Sequence, residues 1–256
     1  MKFKINPVYA FLKPFVVKLA EDSDYFWRSG TVVHAGRNNI RIFEWGDGKV
    51  KVVVKRYGHI SLVNRLVYGV LRKSKSVRSF EYAGRLSSLG IDSPIEVAAL
   101  DMRKGILLDD SYFVSLYSDR KQLSSIIDPE PLTDEAKTAL KELAKFLFFV
   151  HEKGVLHNDL NISNILHEHT DGKWKFELID TNRMNFRHHL SLRQRLLNLR
   201  RLSCPYHAYI YLLGQYAEIM GLQDTDAVVK EGVRIREEFE RKRAKRKRVL
   251  KVFHRR

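Results

Sequence analysis

The sequence has a single cysteine and no long apolar run. Cys204 is the one cysteine among 256 residues, which excludes an internal disulfide framework and a multi-cysteine metal site. A reducing, cytoplasmic compartment fits this composition best. Pro7, Lys13, Pro14 and Lys18 interrupt the apolar start of the chain, so we expect neither a secretory leader nor a membrane span there. No later stretch is long enough for a span, which predicts a soluble or peripheral protein.

Acidic residues are also under-represented. The chain has 46 Lys and Arg against 30 Asp and Glu, a net charge of +16, which predicts attraction to nucleic acid, a phospholipid surface or an acidic substrate. The excess is concentrated at residues 230–256, which contain 13 basic and 4 acidic residues and have a net charge of +9. Residues 119–186 carry 9 basic and 12 acidic residues, a net charge of −3. The basic character therefore lies outside the segment that carries the chemistry described below.

The first half of the chain alternates β-branched and aromatic residues in short segments that predict strands. The turn Gly46–Lys49 predicts a hairpin between the second and third of them. The predicted strands are Thr31–His34, Ile40–Trp45, Val50–Tyr57, Ile95–Leu100, Gly105–Leu108 and Tyr112–Leu116. The predicted helices are Ser61–Arg72 and Val77–Leu89, the second ended by Gly90.

The second half is mostly helical by pattern. Thr133 is a typical N-cap for a helix that Gly154 can end, with apolar residues at three-four spacing between them. A hairpin of Asn164–Glu168 and Lys173–Ile179 around Asp171-Gly172 follows, and residues 190–246 have few helix breakers. The order predicts an α+β, bilobal fold: an N-terminal lobe (1–116) with an antiparallel sheet and one or two helices, and a mainly helical C-terminal lobe (117–256).

The loop between that helix and the hairpin has the side chains that phosphoryl transfer requires. Phosphoryl transfer needs a carboxylate beside the attacking hydroxyl and oxygen ligands for Mg²⁺. Asp159 and Asn164 are five residues apart, so one can face the substrate and the other the metal. Leu160, Ile162 and Ile165 can anchor the loop in the core.

Three further charged residues complete this pattern. Asp180 follows an apolar strand end, where a carboxylate can bind Mg²⁺ beneath the phosphates, and Lys55 ends a strand of alternating valines. Glu81 lies on the next helix and is available to orient Lys55. Alone, a strand lysine is most often a solvated charge. The pattern predicts a kinase because the spacing, the apolar flanks and the predicted elements agree.

These segments resemble a known family. His157–Leu166 (HNDLNISNIL) and Leu178–Arg183 (LIDTNR) are similar to lipopolysaccharide core kinases of the Kdo/WaaP type, within the protein-kinase-like superfamily. The resemblance extends over about residues 31–202. It implies the protein-kinase-like fold, ATP and Mg²⁺ as cofactors, and a lipid A-core glycolipid acceptor phosphorylated on a sugar hydroxyl, often that of Kdo.

The resemblance also implies a role for each site residue. Asp159 is the expected catalytic base, Asn164 and Asp180 are the expected Mg²⁺ ligands, and Lys55 is expected to contact the α- and β-phosphates with Glu81 as its ion-pair partner. Adenine is expected to contact the backbone of Ser115, Leu116 and Tyr117.

The sequence departs from protein kinases in three motifs. No Gly-x-Gly-x-x-Gly is present, so we infer that Gly36 lets backbone N–H groups approach phosphate while Arg37 or Asn38 adds polar contacts. Asn158 replaces the arginine that would bind a phosphorylated activation loop, and neither Asp-Phe-Gly nor Ala-Pro-Glu occurs. These departures favour a constitutive small-molecule or glycolipid kinase over a signalling protein kinase.

Two basic stretches lie beyond Asp180. The first has five arginines that could meet an acidic glycolipid or could form a solvated helix face: Arg187, Arg193, Arg195, Arg200 and Arg201. The second, Arg241–Arg248, is followed by apolar residues and suits an anionic bilayer, RNA or a disordered end. Because the resemblance implies a lipid-linked acceptor, we expect this tail to bind the inner face of the inner membrane and expect neither a nucleic-acid partner nor an obligate protein partner.

Two other functions stay open at this stage. A kinase on the same scaffold could act on protein or a small alcohol, in which case lipid-free acceptors would suffice. A pseudokinase could instead serve as a basic scaffold, and it would show no nucleotide-dependent thermal shift with Mg²⁺.

Overall fold

A computed structural model describes residues 2–22, 24–36, 38–58, 67–68 and 72–253. The chain divides into two compact units, Met1–Asp119 with Leu178–Arg183, and Arg120–Glu177 with Met184–Arg256. The predicted boundary between residues 116 and 117, with its division of roles, stays a prediction. Most of the predicted helix Ser61–Arg72 lies outside the described residues.

The first unit has a six-stranded sheet in the order β1-β5-β6-β4-β3-β2, and its neighbouring strands are antiparallel. The strands are β1 (Lys2–Ile5), β2 (Thr31–His34), β3 (Asn39–Trp45), β4 (Val50–Arg56), β5 (Glu96–Lys104) and β6 (Leu107–Leu116). Among the described residues of this unit, the α-helices are α1 (Lys13–Glu21), α2 (Tyr25–Arg28) and α3 (Lys75–Ser88), and a 3₁₀ turn spans Pro7–Leu12.

The predicted hairpin at Gly46–Lys49 is confirmed. Gly46, Asp47 and Gly48 have positive φ angles of 63°, 55° and 80°, and the Lys49 N–H donates to the Gly46 carbonyl at 3.2 Å. Glycine adopts such angles without steric cost, and aspartate tolerates them.

The prediction of separate strands at Gly105–Leu108 and Tyr112–Leu116 is wrong, because Leu107 to Leu116 form the single strand β6. Gly105, at φ 60°, lies in the turn before this strand. The polar residues between the two apolar segments continue the pairing, with Asp110 opposite Met102 and Ser111 opposite Asp101. Backbone pairing therefore continues through polar residues, although the hydrophobic pattern did not assign these residues to a strand.

The N-terminal residues form elements that the sequence pattern did not predict. Strand β1 adds to the sheet edge, with Lys2 opposite Asp101 and Ile5 opposite Ala98. Phe15 of α1 is fully buried and packs edge-on against Phe43 of β3, with ring centroids 5.5 Å apart. The apolar start of the chain therefore covers one face of the sheet.

The second unit contains short strands and most of the helical residues. Its strands are β7 (Lys121–Gln122), β8 (Val155–His157), β9 (Ile165–Thr170), β10 (Lys173–Leu178) and β11 (Met184–Phe186). Its helices are α4 (Ser124–Ile127), α5 (Asp134–Glu152), α6 (Leu192–Leu199), α7 (Tyr206–Ile219) and α8 (Thr225–Phe253). The strands pair in the orders β10-β9-β7 and β11-β8.

Helix α5 has the predicted ends. The Thr133 side chain accepts from the Ala136 N–H at 3.1 Å, and Gly154 follows the helix at φ 70°. A Cβ at Gly154 would lie 1.8 Å from the Arg187 carbonyl oxygen, so a side chain does not fit there. The helical pattern over residues 190–246 is confirmed as α6, α7 and α8, and α8 continues to Phe253. Within the described ranges, no helix is both long and apolar enough to cross a membrane.

Candidate active site

Lys55 and Asp180 form an ion pair within the first unit. The Lys55 Nζ lies 2.8 Å from the Asp180 Oδ1, and the two side chains are 15% and 23% exposed. Val52 and Val54 are fully buried, so the alternation of β4 directs Lys55 to the opposite face of the sheet. Partial burial strengthens such a pair relative to one in water.

Asp180 has a left-handed backbone conformation, with a φ of 58°. Among the described non-glycine residues, the others with positive φ are Asp47 and Asp171, which lie in hairpin turns. Asp180 instead follows the end of β10, and its Oδ1 also accepts from the Asn182 Nδ2. An unfavourable conformation at a charged residue is typical of functional sites, where the surrounding contacts maintain it.

Helix α3 fixes the segment that contains Asp180. The Thr181 Oγ1 donates to the Ser79 carbonyl at 3.3 Å, and the Leu178 N–H donates to the Asp92 carbonyl at 3.0 Å. These bonds make Leu178–Arg183 part of the first unit although the residues around it belong to the second.

Tyr57 lies beside the Lys55 ammonium. Its ring centroid is 5.5 Å from the Lys55 Nζ, and its hydroxyl shares a 2.8 Å hydrogen bond with the Ser79 Oγ. Burial raises the pKa of Tyr57 above its ordinary value, so the phenol stays neutral. A neutral ring face attracts a cation and helps to position Lys55.

The predicted ion pair between Lys55 and Glu81 is wrong. Glu81 accepts from Lys4 at 2.6 Å through Oε1 and from Lys73 at 2.7 Å through Oε2. Residues two apart on a helix point about 200° apart. Ser79 faces the site, so Glu81 points away from it, and the contact on which its predicted catalytic role depended is not formed.

In the second unit, the ring of His157 fixes the start of the candidate catalytic loop. His157 is buried, and its Nδ1 accepts from the Asp159 N–H at 3.1 Å. The Asp159 carbonyl accepts from the Asn161 N–H at 2.8 Å and from the Asn164 Nδ2 at 2.9 Å. Leu160, with 1% exposure, anchors the loop in the core as predicted.

The bond from the Asn164 Nδ2 also orients its amide oxygen. Because the nitrogen faces the loop backbone, the Oδ1 points away from it, which suits a metal ligand. A carboxylate from Asp180 and an amide oxygen from Asn164 are hard oxygen donors of the kind that Mg²⁺ takes together with substrate phosphates. In the part of the chain that the structure describes, no cluster of three or more His, Cys, Asp or Glu side chains could bind a metal.

A buried polar network supports the loop, and the sequence pattern did not predict it. The Asn198 Nδ2 donates to the His157 carbonyl at 2.8 Å, and the Asn198 Oδ1 lies 3.1 Å from the His151 Nε2. The His151 Nδ1 lies 2.7 Å from the Tyr216 hydroxyl. Burial lowers the pKa of His151 to about 4, so the ring is neutral and donates from Nε2 to Asn198 while Nδ1 accepts from Tyr216. These three residues are far apart in sequence and match no motif.

The predicted phosphate-binding turn is described in part. Gly36 occupies a bend after β2, where a Cβ would lie 2.9 Å from the His34 Nε2. Asn38 has a buried Oδ1 with no hydrogen-bond partner among the described residues. Arg37 lies outside them. The roles of these three residues stay predictions.

The segment predicted to contact adenine already uses two of its N–H groups. Leu116 donates to the Ile95 carbonyl at 2.9 Å, and Tyr117 donates to the Lys51 carbonyl at 3.0 Å. Ser115 lies within β6, paired on both sides with Val53 and Glu96. A base would therefore meet carbonyl oxygens of this segment rather than the N–H groups of Leu116 and Tyr117.

The arginines beyond Asp180 do not form one exposed stripe. Arg195 is 4% exposed, and its guanidinium lies 2.6 Å from Glu152. Arg200 and Arg201 stack on the ring of Phe239, at 4.8 and 5.4 Å from its centroid. The prediction that all five could meet an acidic ligand is wrong for Arg195, because a carboxylate from α5 neutralises it.

The model of the lipopolysaccharide kinase (Kdo/WaaP) family matches residues 48–207, which include Lys55, Asp159, Asn164 and Asp180. Two relatives are 3-deoxy-D-manno-octulosonic acid kinases. The one from Vibrio cholerae is 27% identical over 102 residues, covering 40% of this chain and 42% of that protein. The one from Vibrio vulnificus strain CMCP6 is 26% identical over 132 residues, covering 49% and 54%. The chain spans about half the length of the curated relatives it matches.

A solved structure described as WaaP in complex with acyl carrier protein resembles the fold. It matches with a TM-score of 0.59 and 18% identity, covering 93% of this chain and 99% of that one. The predicted fold class is confirmed: an antiparallel sheet with helices forms the N-terminal part, and helices dominate the C-terminal part.

Proposed function

The chain belongs to the lipopolysaccharide kinase (Kdo/WaaP) family, and from this membership we propose that it is an ATP-dependent kinase that phosphorylates a sugar hydroxyl of the lipopolysaccharide inner core, with Kdo as the acceptor. The observation that carries this proposal is the ion pair between Lys55 and Asp180. It joins a strand of the sheet to a residue in an unfavourable backbone conformation, 125 residues later in the chain.

Each step of the proposed reaction uses a named side chain. Lys55 binds the α- and β-phosphates of ATP and stabilises charge on the departing ADP. Asp159 accepts the proton of the attacking sugar hydroxyl while the new O–P bond forms and the bond between the γ-phosphorus and the bridging oxygen breaks. The Asp159 backbone is fixed from both sides, by His157 and by Asn164, which keeps the base in one position.

Asn164 and Asp180 are the proposed Mg²⁺ ligands. When bound, Mg²⁺ neutralises phosphate charge as the phosphoryl group is transferred. In the absence of nucleotide, the Lys55 ammonium neutralises the Asp180 carboxylate, so both charges have a partner before ATP enters.

The test is phosphorylation of Kdo-lipid A by the purified protein, followed by mass spectrometry of the glycolipid and by ADP release. Asp159→Asn retains the size of the side chain and removes the base, so we expect turnover to fall about 10²–10⁴-fold. Asp171→Asn is the matched control, because Asp171 is an exposed hairpin residue. Equal turnover in wild type and Asp159→Asn would contradict the assignment.

The same assay separates the rival functions. The panel of lipid-free acceptors includes Kdo, small alcohols and protein. Phosphorylation of any of them would show that the lipid is dispensable and would favour the rival kinase function. A pseudokinase would show no thermal shift with ATP and Mg²⁺ in the wild-type protein. Turnover with Kdo-lipid A and none with the panel is the expected result.

We also propose that the C-terminal part of α8 binds the anionic inner face of the inner membrane. Residues 241–248 contain seven cations in eight positions, and every side chain from Arg241 to Val249 is exposed. Like charges three and four apart on a helix repel one another, which an anionic surface relieves. This partner would place the enzyme, as a peripheral protein, beside a lipid-linked acceptor.

Cosedimentation with vesicles tests the membrane proposal. Each basic residue near an anionic surface contributes about 1 kcal/mol, so the triple variant Arg246→Gln, Lys247→Gln, Arg248→Gln should bind phosphatidylglycerol vesicles about a hundredfold more weakly. The control replaces the exposed α5 residues Lys137, Lys141 and Lys145 with Gln. Unchanged vesicle binding by the α8 variant, or binding of the wild type to RNA but not to vesicles, would contradict the proposal.

A further inference from the structure

A basic cavity lies on the first unit, where β1, β5 and the start of α3 meet. Its volume is about 630 Å³. The charged side chains that line it are Lys2, Lys4, Arg72, Lys73, Asp101 and Arg103. None of these residues belongs to the candidate active site described above.

Among the described residues that line this cavity, cations outnumber carboxylates. Glu81 accepts from both Lys4 and Lys73, and Asp101 accepts a 2.8 Å hydrogen bond from the Ser76 Oγ. The lining has five cations and one acid, and Glu81, which pairs with two of these cations, lowers the net charge to +3. An excess of this size at a concave surface attracts anions.

The start of α3 adds to the positive potential. Residues 72–78 contain four cations, and the first turn of α3 has no acidic residue. The N-terminus of a helix carries a partial positive charge and favours anions, so cations there destabilise it. Ser74 caps the Val77 N–H, at 3.2 Å, and provides no negative charge. This end of α3 is electrostatically unfavourable in the chain alone.

Arg78 provides a separate indication of a ligand. It is 8% exposed and lies behind the lining: its Nε donates to the carbonyl of Ser74 at 3.4 Å, and its guanidinium carbon is 5.8 Å from the ring centroid of Tyr68, both of which line the cavity. Among the described residues, no carboxylate forms an ion pair with it. Burial, together with the charge of Arg72, lowers the pKa of Arg78. A buried guanidinium without an acidic partner is costly unless an anion from outside the chain joins it.

We propose that this cavity binds a phosphate monoester, at a site separate from the one that binds ATP. A monoester carries between one and two negative charges in a compact group, which matches guanidinium forks and lysine point charges at a helix N-terminus. A lipid headgroup and a free phosphate share this chemistry. Binding there does not depend on the proposed catalytic activity.

The first measurement is hydrogen exchange of α3 in the full-length protein, with inorganic phosphate against sodium chloride at equal ionic strength. Phosphate should slow exchange at the first turns of α3, because it relieves the repulsion among Arg72, Lys73 and Arg78. Monomeric short-chain phosphatidate, added in parallel, distinguishes the sources. Tighter binding of phosphatidate assigns the site to a lipid headgroup, and equal binding assigns it to free phosphate.

The second measurement is the phosphate dissociation constant for matched variants. Loss of a charge-assisted hydrogen bond weakens binding about tenfold, so Arg72→Gln with Arg103→Gln should weaken it by about a hundredfold. Lys104→Gln, an exposed neighbour on β5, is the control. Lys55→Met should reduce turnover sharply and leave phosphate binding intact, which separates this proposal from the proposed function. The proposal is overturned if the double variant binds like wild type, if Lys55→Met alone removes binding, or if phosphate protects no part of α3.

Discussion

The side-chain amide of Asn198 donates to the main-chain carbonyl of His157 over 2.8 Å, so α6 positions the residue at which the candidate catalytic loop begins. Since the same amide also accepts from His151, one side chain joins the end of α5 to the start of the loop. Function and stability should therefore depend together on a residue that touches no substrate.

Asn198→Leu should lower the free energy of unfolding by about 2–4 kcal/mol, because it leaves the His157 carbonyl and the His151 N–H buried without partners. The kcat for Kdo-lipid A should fall while KM stays within about threefold, because the loop loses its support. Urea unfolding and steady-state kinetics measure the two effects. Asn185→Leu, at an exposed position of β11, should change neither. An unchanged kcat in a destabilised Asn198→Leu variant would assign Asn198 a purely structural role.

Lys55→Met should reduce turnover by about 10²–10³-fold, the usual cost of removing one charged contact to a transferring group. It should also weaken the thermal shift caused by ATP. Lys51→Met is the matched control, because Lys51 lies on the same strand, is 53% exposed and pairs with Glu44. Full turnover in Lys55→Met would show that the pair with Asp180 has no catalytic function.

The left-handed φ of Asp180 predicts different outcomes for three substitutions. Asp180→Asn should retain stability, because asparagine tolerates this conformation, yet lose turnover with the carboxylate. Asp180→Ala should lose turnover and also about 1–2 kcal/mol of stability. Asp171→Ala has the same backbone cost in an exposed turn and should keep full activity. Calorimetry and ADP release give the two readouts, and an active Asp180→Asn would refute the metal-ligand role.

The buried His151 predicts acid sensitivity. Its pKa is lowered from 6.5 to about 4, so the folded state binds fewer protons than the unfolded state between these values. The contribution of the neutral ring is fully present above pH 6.5 and is lost as the pH falls through this window, at about 1.4 kcal/mol per pH unit and about 3 kcal/mol in all.

His151→Gln should flatten the pH dependence of the unfolding free energy between pH 6.5 and 4 by that amount. His169→Gln serves as the control, because His169 is an exposed ring whose centroid lies 4.2 Å from that of Trp174. Parallel pH curves for wild type and His151→Gln would show that this histidine is not the acid-sensitive group.

Local signals predicted the parts of the fold that depend on neighbouring residues. Thr133 caps its own helix three residues on, and Asp171-Gly172 forms its hairpin from φ angles of 53° and 70°. Asp159 and Asn164 lie within one short loop, so their spacing alone predicted that one faces the substrate and the other the metal. The bond from the Asn164 Nδ2 to the Asp159 carbonyl was not predicted.

Distant partners explain the errors. Strand β1 pairs with β5, about a hundred residues later, so no local pattern predicted a strand at the start of the chain. Glu81 lies on the predicted helix, but the sequence pattern does not show which side of that helix packs against the sheet. In the structure, this side places Glu81 beside Lys4. Arg195 appeared unpaired because its carboxylate, Glu152, is 43 residues earlier.

The segment Leu178–Arg183 belongs to the first unit but emerges from the ribosome long after the sheet that it joins. During synthesis, strands β1 to β6 are complete once residue 116 has been made. The partners of Lys55 and Ser79, which are Asp180 and Thr181, are made only about 60 residues later. A nascent chain released at residue 119 should therefore have its sheet without the Lys55–Asp180 pair of the proposed nucleotide site. Translation order would itself delay the catalytic machinery until most of the second unit exists.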